Sequence, residues 1–152
     1  MKNWSVLALI CAALLITATT VVAHQGATGV VKKRMNQMGE LKEAMKSVGQ
    51  MLKSDDDLNA DVIAATAQAV QENAGHHLTS LFPDGSLKKP SEARPEIWKN
   101  WTEFQRFADQ LKAAGEGLGK TASGDRKDVA EAFKELGQSC KACHEKFRLK
   151  SN

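Results

Sequence analysis

Near the end of the chain, Cys140-Lys141-Ala142-Cys143-His144 sets two thiols three positions apart and an imidazole directly after the second. Three chemistries use such a group: thiol-disulfide exchange, metal binding and covalent attachment of a haem. On a helix, at ~100° per residue, positions three apart lie ~60° from each other on one flank, so both sulfurs can reach the two vinyl groups on one edge of a porphyrin. His144, one position further, projects its imidazole over the ring toward iron. Exchange sites usually open a helix, where the dipole lowers a thiol pKa, whereas this pair lies about four turns into one. A zinc site would need a fourth donor, for which His76, His77 and His24 are the candidates. Haem attachment is the expected chemistry, with the other two as its rivals.

The elements that must position these residues read as helices throughout, with no alternating pattern in competition. A first helix over about Thr28 to Lys53 aligns Val31, Met35, Met38, Leu41, Met45, Val48 and Leu52 on one stripe. Ser54-Asp55-Asp56-Asp57 then supplies N-cap oxygens and first-turn acids for a second helix over about Leu58 to Asn73, which buries Val62, Ile63, Thr66, Ala69 and Val70 and is ended by Gly75. A long connection carries the turn Pro83-Asp84-Gly85 and the breaker Pro90. The third helix opens near Pro95, turns Ile97, Trp101, Phe104, Phe107 or Ala108, Leu111 and Leu118 inward, and ends at Gly115, Gly117 and Gly119. The fourth begins at Asp125, paired with Asp128 as a cap, and its inner stripe runs Val129, Phe133, Leu136, Cys140, Cys143, Phe147. Steps of four and three residues suit packed antiparallel helices, so the expected fold is all-α, an up-down-up-down four-helix bundle.

The chain has 152 residues, enough for one domain. Residues 1–23, with Lys2 in a short head, an apolar run from Val6 to Val22 and small residues before His24, are expected to be an export signal, leaving a bundle domain over 24–152. Its removal takes away Lys2 and Cys11, so Cys140 and Cys143 remain as the thiols of a chain bound for an oxidising compartment. With 21 basic residues less that lysine against 18 acidic ones, no nucleic-acid partner is implied, nor a membrane once the signal is gone. His76 and His77 read as surface residues at the end of the second helix. Lys141, Lys146 and Lys150 form a basic rim that could meet an acidic redox partner.

The segment Cys140 to Arg148 at the C-terminus, with Arg34-Met35-Asn36-Gln37-Met38, Leu81-Phe82-Pro83-Asp84-Gly85 and Pro95-Glu96-Ile97-Trp98, resembles the class II cytochromes c, which include cytochromes c′ and the low-spin cytochromes c-556. The resemblance implies one covalent haem c held near the end of the fourth helix and a bundle that is often dimeric; with the export signal, the expected role is a periplasmic electron carrier rather than an enzyme. It implies His144 as the proximal iron ligand, Arg34 near a haem propionate, and Arg148 close to the proximal histidine, where its charge would raise the reduction potential. Phe82 would pack at the haem edge. In the high-spin branch an apolar side chain stands four residues after the first-helix arginine and iron stays five-coordinate, open to nitric oxide or carbon monoxide. In the low-spin branch a methionine stands there, and here that residue is Met38. Met35 and Met45 share its stripe and are rival ligands.

Overall fold

A computed structural model describes residues 27–150, so the expected export signal lies outside the described residues. Four long helices, α1 (Gly29–Met51), α2 (Ala60–Glu72), α5 (Trp101–Lys120) and α6 (Arg126–Phe147), alternate in direction. Two single-turn helices, α3 (His76–Thr79) and α4 (Glu96–Lys99), punctuate the long connection between α2 and α5. The described residues contain no strand, and the all-helical bundle is the expected one. No helix among them is long and apolar enough to cross a membrane.

The stripes meet as their spacing demands. Val48, Ile63, Val70, Ile97, Leu118, Val129 and Leu136 are fully buried, so all four long helices contribute to one core. Backbones approach most closely between α2 and α5 and between α5 and α6, with α1 against α2. A Cβ built on Gly115 of α5 would lie 2.8 Å from Val70 Cγ1 of α2, and one on Gly119 3.4 Å from Ala67 Cβ. Glycine is thus required inside α5 by the neighbouring helix, and the helix runs past Gly115, Gly117 and Gly119 to Lys120 instead of stopping there. Gly115→Ala should lower stability by about 1–2 kcal/mol, the overpacking outweighing the gain in helix propensity. Gly117→Ala, with nothing within 4 Å of its Cβ, should be neutral or stabilising. Urea unfolding of the two variants checks the contrast.

Three local expectations are corrected. The cap of α2 is Asn59, whose side chain accepts from Val62 N–H at 3.1 Å, with Asp61 as the first-turn acid, so the Asp55 to Asp57 run lies outside the helix. The third helix is interrupted at Asn100, which separates α4 from α5. His76 and His77, exposed as expected, do not end α2 but form the first half of α3, because Gly75 takes a positive φ of 57° and donates its N–H to Ala108 O at 3.0 Å. Asp125 caps α6 as expected, accepting from Asp128 N–H at 2.9 Å.

Candidate haem site

On α6, Cys140 and Cys143 are free thiols, half-buried against the core on one flank of the helix. Burial raises the Cys140 pKa; burial and then the neighbouring Cys140 push Cys143 up to about 11. Both are therefore protonated at neutral pH, the opposite of what a thiol-exchange site needs. His144 is exposed, yet its pKa is held below the ordinary value by partial burial first and the Arg148 charge second, against an opposing pull from Glu92. A neutral imidazole is the form that binds a metal. Among the described residues no group of three His, Cys, Asp or Glu side chains could hold a metal ion; His24 lies outside them.

The relation of α1 to α6 decides what can face His144. These helices close the ring but stay apart along most of their length. They meet at one end, where Gly49 lies against the Phe133 ring, a Cβ there falling 3.4 Å from Cζ, and where Arg126 donates to Met51 O at 3.2 Å. Gly49 and the Phe133 side chain therefore lie on facing flanks at that end. Eleven residues back from Gly49 is Met38, and eleven on from Phe133 is His144. Eleven residues make about three turns, within ~20° of the starting direction. Because the helices are antiparallel, both counts run toward the same end of the bundle, which agrees with the expectation that Met38 and His144 face a common haem. Met35 and Met45 lie on the same stripe of α1, one turn before Met38 and two turns after it. A Cβ built on Gly39 or Gly137 meets nothing within 4 Å, consistent with space along the parted stretch.

Arg34 sits on the same face of α1 one turn before Met38 and is almost wholly buried, at 4% exposure. Its terminal nitrogens are committed to the long connection: Nη1 donates to Leu81 O (3.3 Å) and Ser86 Oγ (3.1 Å), Nη2 to Ser86 O (2.9 Å) and Ser91 Oγ (2.7 Å). The guanidinium also lies 4.6 Å from the centre of the Phe82 ring. Nε alone is buried without a partner, a donor fitted to a carboxylate. The expected propionate contact thus narrows from the whole fork to one nitrogen. Ser86 and Ser91 were not foreseen; an arginine on an apolar stripe was the signal that buried acceptors had to exist. Phe82 is buried in an aromatic cluster, edge-on to Phe104 at 4.8 Å, with its carbonyl accepting from Trp98 Nε1 at 3.1 Å.

Behind His144 the chain leaves α6 and pairs with the connection, Ala93 bridging Arg148. Arg148 is exposed and its guanidinium is engaged by Glu92 Oε2, Nη2 at 2.6 Å and Nε at 2.7 Å. Glu92 therefore offsets the charge expected to act on iron. Each substitution changes the charge behind His144: Arg148→Ala should lower the midpoint potential and Glu92→Gln raise it, each by on the order of tens of millivolts at low salt, while the double variant returns close to the parent value. Protein-film voltammetry of the four proteins reads this directly.

A family model described as Cytochrome C′ matches residues 29–148. The chain belongs to the cytochrome c′ family. Proteins of this family bind one covalently attached c-type haem, and the thiol pair, the neutral imidazole and the unpartnered Arg34 Nε fit that group. The chain is 33% identical to a cytochrome c-556 of Agrobacterium tumefaciens over 122 residues, 80% of this chain and 98% of that protein. It is also 28% identical to a cytochrome c′ of Rhodospirillum rubrum over 153 residues, 97% of this chain and 99% of that one. Among solved structures, cytochrome c′ from Rhodopseudomonas palustris superposes with a TM-score of 0.76 at 26% identity, covering 83% of this chain and all of that one. The relatives thus include both c-556 and c′ members of the family.

Proposed function

We propose that this cytochrome c′ family member is a periplasmic electron carrier, with one haem c attached through Cys140 and Cys143 and iron ligated by His144 and Met38. The observation that supports the reading is the Gly49 and Phe133 contact between α1 and α6, from which equal counts along antiparallel helices lead to Met38 and to His144. When bound, the haem supplies reversible one-electron chemistry at iron. The protein's residues do the rest. The thiols, kept protonated by burial, lie where thioethers would fix one porphyrin edge to α6. His144 stays neutral and so keeps a nitrogen lone pair available. A thioether from Met38 would close the distal face and favour the ferrous state. Arg34 would turn its spare Nε to a propionate while its other nitrogens hold the connection in place.

The competing reading is a five-coordinate iron open to nitric oxide or carbon monoxide, favoured by the relatives named cytochrome c′. Denaturing the purified holoprotein should leave the haem on the chain, and the ferrous native protein should bind carbon monoxide slowly and incompletely. Prompt binding at full occupancy would transfer the assignment to the open-iron reading.

A further inference from the structure

The tail behind α6 and the long connection pair to make a small surface beside the haem-binding residues. Ala93 bridges Arg148, Arg94 N–H donates to Phe147 O at 2.9 Å and Leu149 N–H donates to Glu92 O at 2.8 Å. This antiparallel register continues to set Lys150 level with Ser91. Ser91 N–H in turn closes on Lys88 O at 2.9 Å, so Lys150 lies beside the turn that carries Leu87, Lys88 and Lys89. Leu87 and Leu149, 43% and 51% exposed, are the exposed large hydrophobics among the described residues.

Charge at this end leans positive. Four carboxylates are engaged, Glu92 by Arg148, Glu96 by Arg94, Glu103 by Lys146 and Glu145 by Lys141, while Asp84 in the turn before Leu87 is exposed and enters no ion pair among the described residues. Two lysines of the expected basic rim, Lys141 and Lys146, are thereby neutralised. Lys88, Lys89 and Lys150 are exposed and enter no ion pair among the described residues. Two exposed leucines thus share the connection and tail with three exposed lysines, against the exposed carboxylate of Asp84.

We propose that Leu87, Lys88, Lys89, Leu149 and Lys150 form the docking surface for a redox partner that presents carboxylates around an apolar patch. The proposal rests on the electron-carrier reading above. Lysines not held by internal partners steer an acidic protein during approach, and two leucines give a contact small enough to separate after one electron has passed. The same charges make the encounter sensitive to salt, since screening at physiological ionic strength acts within ~8 Å.

Ferrous holoprotein is mixed with ferricyanide, which takes one electron to leave ferric protein and ferrocyanide. In parallel it is mixed with the cation tris(phenanthroline)cobalt(III), which takes one electron to become the cobalt(II) complex. Ferricyanide oxidation should slow as salt rises, and cobalt oxidation should quicken. Reversing Lys88→Glu, Lys89→Glu and Lys150→Glu together should slow ferricyanide about tenfold at low salt. Reversing Lys53→Glu, Lys120→Glu and Lys127→Glu at the opposite end of the bundle changes net charge equally and should have far less effect. Poly-L-glutamate should shift the methyl resonances of Leu87 and Leu149 in the parent protein and not in the first triple variant. Equal rates for the two triple variants, or shifts confined to other methyl groups, would overturn the docking surface. Binding to phosphatidylglycerol vesicles through the same lysines, with no response to polyglutamate, would overturn the protein partner in favour of a lipid surface. If neither reagent draws an electron from the ferrous protein, the electron-carrier reading falls and the docking surface with it, which tells the two failures apart.

Discussion

Met38→Ala should turn a low-spin haem protein that resists carbon monoxide into a high-spin one that takes it up to full occupancy. The expectation follows from the place of Met38 four residues after Arg34, with which the Gly49 and Phe133 contact agrees. A ligand that must first displace a thioether binds with its intrinsic affinity reduced by the fraction of time the sixth position is open. If that fraction is on the order of 1%, removing Met38 raises apparent carbon monoxide affinity on the order of 100-fold. Met38 is half-buried against the core, so Met38→Leu serves as the volume-conserving control and should give the same spin change with less loss of stability. Met35→Ala and Met45→Ala should stay low-spin, since neither stands four residues after Arg34. Absorption spectra of the ferric proteins and carbon monoxide titrations of the ferrous ones read both effects. A low-spin Met38→Ala protein would show that another group fills the sixth position.

The second large effect is at Arg34. Its four hydrogen bonds tie α1 to Leu81, Ser86 and Ser91, and Ser86 is itself buried. Arg34→Ala removes charge-assisted bonds and leaves buried acceptors without donors, which should cost about 3 kcal/mol. Arg34→Lys should rescue little, because one ammonium cannot reproduce the fork that serves two serines and two carbonyls. Urea unfolding should show the loss. Faster amide exchange in the stretch from Leu81 to Ser91, with the midpoints of α2 and α5 still protected, would place it in the connection. A loss below about 0.5 kcal/mol would mean that the connection holds its place without the arginine.

The sequence was most legible where apolar spacing repeats. The stripes of α1 and α6 agree with burial almost residue for residue: Val31, Leu41, Val48, Val129, Leu136 and Phe147 are buried, and the methionines and cysteines between them are half-buried. Local capping was legible at Asp125, whose partner is three residues away, and not at Asn59, where a neighbouring run of aspartates offered the same chemistry. What could not be read were contacts across the fold. Gly115 inside α5 looks like a helix end until Val70 of α2 is seen against it. Arg34 could be assigned to an anion, but its partners Ser86 and Ser91 stand some fifty positions on, in a segment without periodicity. Glu92 was invisible for the same reason, being joined to Arg148 by a pairing between an irregular loop and a chain tail. Met38 was singled out from Met35 and Met45 by its place four residues after Arg34 in the family pattern, and the Gly49 and Phe133 contact agrees with that choice.

Proton NMR of the ferrous protein tests the central claim most directly. A methionine methyl bound at iron lies over the porphyrin face, where the ring current moves its resonance upfield of all other methyl signals. One such three-proton signal should be present, and it should vanish in Met38→Leu while persisting in Met35→Leu and Met45→Leu. Its absence from the parent protein, or its loss in either of the other two variants, would contradict iron held between His144 and Met38.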